Sequence, residues 1–190
     1  YWVFNDFLGE GITGLCMIGD RTFGTSESTF FEFDQTSKSL INKRPLTDIS
    51  PQLSTGGIKR MVCGKDNLLY ASVGKESGGP SINGYVVYDP IAQITKKTYI
   101  TTGSWTWVGL LHRHSLMVSP EGIVFGLLFD AATQKTLVGY IHPVTLTWVP
   151  LDQYDGVLKN GWGFLGDDIY FVGDLDDEPP ILVKYSLNYA

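Results

Sequence analysis

Apolar and polar positions alternate along this chain in short runs, and no segment sustains the helical rhythm of about 3.6 residues. Ile58 to Cys63 reads as a half-buried strand that stops at the turn Gly64-Lys65-Asp66-Asn67. Leu68 to Val73 is the next strand, with Tyr70 at its centre, and the polar, glycine-rich stretch Gly74 to Ser81 is a loop. Gly84 to Pro90 returns as a third strand, and Gln93 to Ile100, rich in Thr, Ile and Tyr, is a fourth. The same grammar recurs at Leu15 to Ile18, Phe23-Gly24 and Phe30 to Asp34. It returns at Ser115 to Val118, Ile123 to Phe129 and Val138 to Pro143, and again at Trp162 to Leu165, Ile169 to Val172 and Ile181 to Leu187.

The recurrence has a period. The first aromatic anchors of the four units, Phe23, Tyr70, Phe125 and Tyr170, are spaced by 47, 55 and 45 residues. The second anchors, Phe33, Tyr88, Tyr140 and Tyr185, are spaced by 55, 52 and 45. Four short strands per unit at a period of about 45–55 residues is the sequence pattern of a β-propeller blade. The expected fold is therefore all-β: a four-bladed β-propeller of antiparallel four-stranded blades, one domain over 1–190, with blades near 11–46, 58–100, 114–151 and 159–188. The third unit continues into an outer strand at Leu146 to Leu151, whereas the fourth reaches the chain end without one. Tyr1-Trp2-Val3-Phe4 resembles Thr147-Trp148-Val149-Pro150, so residues 1–5 are expected to close the last blade and pair its open edge. The alternatives are half of a larger propeller, or two copies assembling into one ring.

Composition narrows the partners. Fourteen basic against twenty acidic residues give a net charge of −6, and the basic residues are scattered, so a nucleic-acid partner is not expected. No run approaches the roughly 20 apolar residues of a spanning helix, and no membrane insertion is expected. The chain opens at Tyr1 without an initiator Met, which fits a processed protein or an excised domain. None of the six Asn residues lies in a glycosylation sequon. Cys16 and Cys63 each sit seven residues before an aromatic anchor, at equivalent places by that count. They read as two small buried residues on inner strands, and sequence leaves their pairing open.

The stretch Met61 to Thr95, with Gly64-x-Asp66-Asn67-x-Leu69-Tyr70 and Tyr88-Asp89-Pro90, resembles blades of the streptogramin-lyase, regucalcin-like and YVTN-type propellers, and Pro120 to Phe125 fits the same pattern. The resemblance covers about residues 11–188 and implies the propeller fold. It carries over no catalytic residues. Size and unit count also resemble hemopexin-like domains, but those close their ring with a disulfide near the termini, and here both cysteines lie in the first third of the chain.

Candidate chemistry is sparse. His112-Arg113-His114 would place two imidazoles on one strand face, half a zinc site, but His142 is the only other histidine and sits in a distant turn. The acidic stretch Asp174 to Glu178 and the pair Asp167-Asp168 do not match an EF-hand and read as exposed turns. No nucleophile elbow or P-loop is present, so no catalytic residue, metal or cofactor is assigned. Trp105, Trp107 and Trp162 lie near unit entries beside Arg60, Lys59, Arg113 and Asn160, and His112 and His114 join Arg60, Arg113 and the three tryptophans as candidate ligand-binding residues. Aromatic faces ringed by a few hydrogen-bonding side chains suit sugars and amphipathic ligands. The same tryptophans would equally serve as wedges between sheets. The expected function is a non-catalytic recognition module that binds a glycan or a protein surface, extracellular or on a virion as an attachment domain. The alternatives are a lyase or hydrolase working at the central channel through His112, His114 and Arg60, and a structural unit forming a homo-oligomer.

Overall fold

The computed structural model describes residues 11–26, 28–54, 57–74, 82–102, 105–107, 116–130, 132–155, 162–173 and 181–186. The turns marked by glycine and aspartate are hairpin tips, and the strands they join form antiparallel sheets in chain order. Sheet A is β1 (Ile12–Ile18), β2 (Arg21–Ser26), β3 (Thr29–Asp34) and β4 (Ser39–Pro45). Sheet B is β5 (Gly57–Cys63), β6 (Leu69–Gly74), β7 (Ile82–Asp89) and β8 (Ile94–Thr102). Sheet C contains β9 (Trp105–Trp107), β10 (Leu116–Val118), β11 (Val124–Asp130), β12 (Lys135–Ile141) and β13 (Trp148–Asp155). Sheet D is β14 (Trp162–Leu165), β15 (Asp168–Gly173) and β16 (Ile181–Ser186). Two short 3-10 turns, Leu46–Asp48 and Pro51–Ser54, lead from sheet A to sheet B. Among the described residues no helix is long and apolar enough to cross a membrane. The closing strand expected at residues 1–5 lies outside the described residues.

Because side chains alternate across a strand, sheets B and C each offer one apolar face to the sheet before and one to the sheet after, and sheets A and D each pack one face on their neighbour. Three buried clusters follow. Cys16, Ile18, Phe23 and Phe30 of sheet A meet Ile58, Met61, Leu69 and Val73 of sheet B, with Leu46, Ile49 and Leu53 of the connecting turns sealing the edge. Val62, Tyr70, Tyr85 and Val87 meet Leu116, Val124 and Ile141 between sheets B and C. Phe125, Leu127 and Val138 meet Ile169 between sheets C and D, where Trp162 and Phe164 also pack. Among the described residues no such cluster joins sheet D to sheet A.

Polar ties reinforce the seams. At Gly14 strand β1 runs against β5 so closely that a Cβ would lie 2.7 Å from that of Met61, which only glycine avoids. Cys16 and Cys63 are joined by a disulfide across the same seam, with Cα atoms 5.8 Å apart. The tips of sheets B and C touch, Lys65 N–H donating to the Gly122 carbonyl at 3.1 Å. Tyr85 is buried and donates its hydroxyl to the Leu146 carbonyl at 2.9 Å; burial pushes its pKa up to about 12. Within sheet A, Arg21 forms a two-pronged pair with buried Glu32 at 2.6 and 2.7 Å, and Asn42 adds a third bond at 2.8 Å. These donors hold the Glu32 carboxyl below its ordinary range, the Arg21 hydrogen bonds contributing most.

The disulfide corrects the equivalence read from sequence. Both cysteines precede their anchor by seven residues, but the hairpin tips differ in length. In sheet A, Ile18 pairs directly with Arg21, so Cys16 pairs with Phe23. In sheet B, Cys63 pairs with Leu69, and it is Val62 that pairs with Tyr70. Cys63 is therefore one position out of phase and points back toward sheet A, while Cys16 points forward. Two cysteines at truly equivalent places would face the same way and could not meet.

Candidate functional site

Sheet C departs from the common plan at its inner strand. In sheet B one continuous strand, β5, pairs with β6. In sheet C that role is divided: β10 pairs with the first half of β11, from Val118 with Val124 to Leu116 with Gly126, and β9 pairs with the second half, from Trp107 with Leu128 to Trp105 with Asp130. These pairings leave one ladder position between the two pieces, opposite Leu127, while eight residues, 108–115, connect them. His112, Arg113 and His114 belong to that connection and lie outside the described residues.

Arg60 faces this divided strand. It shares a face of β5 with Val62, which packs toward sheet C. A register shift between Ile58 and Arg60 makes Lys59 the extra residue of a bulge, a device that re-aims the next side chain. The Ser72 hydroxyl donates to the Arg60 carbonyl at 3.4 Å and ties the bulge to β6. The Arg60 Nε–H is buried without a hydrogen-bond partner, the one such side-chain atom among the described residues. A buried donor left unmade costs about 1–3 kcal/mol, which makes this N–H a place for an acceptor to bind.

The structure thus brings Arg60 and the strand holding Trp105 and Trp107 to the same seam, since β9 runs beside β6 and β7 of sheet B. It does not bring Trp162 there. Trp162 lies one seam further on, tilted against Phe164 with ring centroids 6.1 Å apart, and wedges sheet D onto sheet C. Of the acidic residues weighed for calcium, Asp168 is held by Lys184 at 2.7 Å, and residues 174–178 lie outside the described residues. Sequence reading missed the division of the inner strand, and a signal for it was present. The third unit's apolar run before its tip is only Ser115 to Val118, shorter than Ile58 to Cys63, and the alternating Trp105-Thr106-Trp107 stands unassigned upstream.

No family model and no curated protein matches the chain. Solved structures do. The RRP9 WD40 repeats superpose with a TM-score of 0.54 at 11% identity, over 90% of this chain and 47% of theirs. A candidate 6-phosphogluconolactonase from Bacteroides uniformis superposes with a TM-score of 0.52 at 15% identity, over 93% of this chain and 53% of its own. The fold is therefore that of β-propeller repeats, all-β and built of successive antiparallel sheets. The chain spans about half the length of these two structures.

Proposed function

We propose that this chain is a non-catalytic recognition module that binds a glycan between sheets B and C, with a protein surface as the other ligand class. The observation that carries the reading is the buried, unpartnered Nε–H of Arg60 beside the divided inner strand. A ligand oxygen reaching this donor would complete a charge-assisted hydrogen bond, and Trp105 and Trp107 would offer aromatic faces for a sugar ring. A neutral glycan supplies acceptor oxygens without the charge that a chain of net −6 repels. The sheets supply a rigid scaffold, and the ligand meets the connections between strands, where variation leaves the core intact. The Cys16–Cys63 disulfide supports an oxidising, extracellular setting.

The test is a glycan array followed by calorimetry on the hits. Binding is expected to fall at least about tenfold in Arg60→Met, the loss of one charged hydrogen bond, and also in Trp107→Ala. Arg60→Met is expected to melt at or above the wild-type temperature, because it removes an unsatisfied donor. A bound glycan indifferent to both substitutions, or no glycan bound at all, refutes the reading.

A further inference from the structure

Four hairpin tips among the described residues share one plan. Each begins on a side chain that accepts hydrogen bonds from residues two and three further on, and ends on a residue in the left-handed region four further on. Asp34 accepts from the Thr36 N–H at 2.9 Å and the Ser37 N–H at 3.3 Å, and Lys38 has φ +56°. Asp89 accepts from the Ile91 N–H at 3.1 Å and the Ala92 N–H at 2.8 Å, and Gln93 has φ +58°. Asp130 accepts from the Ala132 N–H at 3.0 Å and the Thr133 hydroxyl at 2.8 Å, and Gln134 has φ +56°. Between β12 and β13 the same place is held by His142. Its Nδ1 accepts from the Val144 N–H at 3.2 Å and the Thr145 N–H at 3.3 Å, and Leu146 has φ +54°. These two donors place the imidazole proton on Nε2, since only an unprotonated Nδ1 accepts. The carboxyls of Asp34 and Asp89 are held below their ordinary range, the Ser37 hydroxyl contributing most at Asp34 and the Ala92 N–H at Asp89. One tip is thus capped by an acceptor that a proton can abolish near neutral pH.

That tip also fastens one sheet to another. Leu146 packs against the buried cluster between sheets B and C; its N–H donates to the His142 carbonyl at 2.8 Å, and its carbonyl accepts the hydroxyl of Tyr85 from β7. We propose that the β12–β13 tip is a pH-sensitive clasp between sheets B and C, closed while His142 is neutral and released when it takes up a proton. Protonation of Nδ1 removes the acceptor and sets one N–H against two others. The closed tip carries no proton at Nδ1 and the open tip gains one in acid, so acidification favours release. Histidine side chains change charge between about pH 5 and 8, a range in which carboxylate caps stay ionised. The titratable groups about the tip are Tyr140 of β12, whose ring centroid lies 6.3 Å from that of His142, and two tyrosines of sheet B. These are Tyr85 and, in the same buried cluster, Tyr70 of β6, whose hydroxyl donates to Asp66. Burial pushes both sheet B hydroxyls up, so neither titrates in that range. Among the described residues His142 forms no ion pair, so no fixed charge compensates an imidazolium there. The clasp acts on the seam that also holds Arg60, and it stands whether or not a ligand binds there.

Amide exchange and ring resonances, followed by NMR on the whole chain, test the proposal. From pH 8 to pH 5 the protection of the Val144 and Thr145 amides, corrected for intrinsic exchange, should fall at least about tenfold, as expected for losing two ordinary hydrogen bonds. The Ile91 and Ala92 amides, capped by Asp89, should keep theirs. The Tyr85 ring resonances should shift over the same interval. His142→Asp creates the Asp-Pro pair that already begins the Asp89 tip, and His142→Asn supplies a neutral acceptor. Both variants should keep the tip protected across the whole interval, and both retain His112 and His114 as internal controls. A pH response that persists in these variants overturns the proposal. Unchanged protection at Val144 and Thr145 in the wild type overturns it as well, and so does a tip that responds while Tyr85 does not.

Discussion

Reducing the Cys16–Cys63 bond should lower stability by an amount that follows from the loop it closes. The bond joins positions 47 residues apart across the seam between sheets A and B. Cross-linking a loop of that length removes conformational entropy from the unfolded chain worth about 4 kcal/mol at 25 °C on the chain-entropy relation. Both partners pack in or against the buried cluster of that seam, so reduction leaves native packing in place and the effect falls on the unfolded state. With a urea dependence of about 2 kcal/mol per molar, the midpoint should fall by about 2 M. The assay is urea unfolding followed by tryptophan fluorescence, with and without reductant, alongside a Cys16→Ser/Cys63→Ser variant that should match the reduced protein. Thiol titration of the unfolded, unreduced chain should find no free thiol. Two free thiols, or a midpoint that reductant does not move, would refute both the pairing and the entropic reasoning.

Glu32 supplies a pH dependence. Its carboxyl is held low in the fold, so its contribution is complete above the unfolded carboxylate range near about pH 4.3 and is lost as pH falls through the lower folded value. Urea midpoints taken from neutral to about pH 3 should fall less in Glu32→Gln than in the wild type, and parallel curves would refute the assignment. Gly122 has φ +85° and its carbonyl takes the Lys65 N–H, so a methyl there would strain the turn and press on the Lys65 backbone, 3.1 Å away. Gly122→Ala should destabilise the protein by about 1–3 kcal/mol, and an unchanged melting temperature would show that the tip contact is dispensable.

The strands and their tips were legible because each unit repeats one pattern of apolar alternation broken by Gly and Asp, and because the anchors Phe23, Tyr70 and Phe125 fill equivalent places in successive seams. What sequence could not show was phase. A tip of two residues in sheet A and one of five in sheet B reverse which way a residue seven before the anchor points, and the cysteine pairing depended on that reversal. Tyr140 shows the same effect: it pairs with Phe125 itself, whereas Tyr88 pairs with Leu69, one residue before the anchor Tyr70. Arg60 was singled out from its position on an inner strand, but its isolation became visible only in three dimensions, because a missing partner has no sequence signal. Trp162 had two readings, and the structure places its ring in the packing between sheets C and D.

The cross-link also gives the array a direction. In a linear array each sheet is stabilised mainly by its neighbours, so opening can begin at either end. Here sheets A and B are covalently stitched to each other, and the two must open together. Sheet D is held to sheet C by side-chain packing, with Phe164 standing edge-on to Phe125 at 5.4 Å. Amide exchange in a single chain should accordingly run as a gradient, fastest in sheet D and slowest around the stitched pair. One bond between two out-of-phase cysteines thus sets the order in which four similar units come apart.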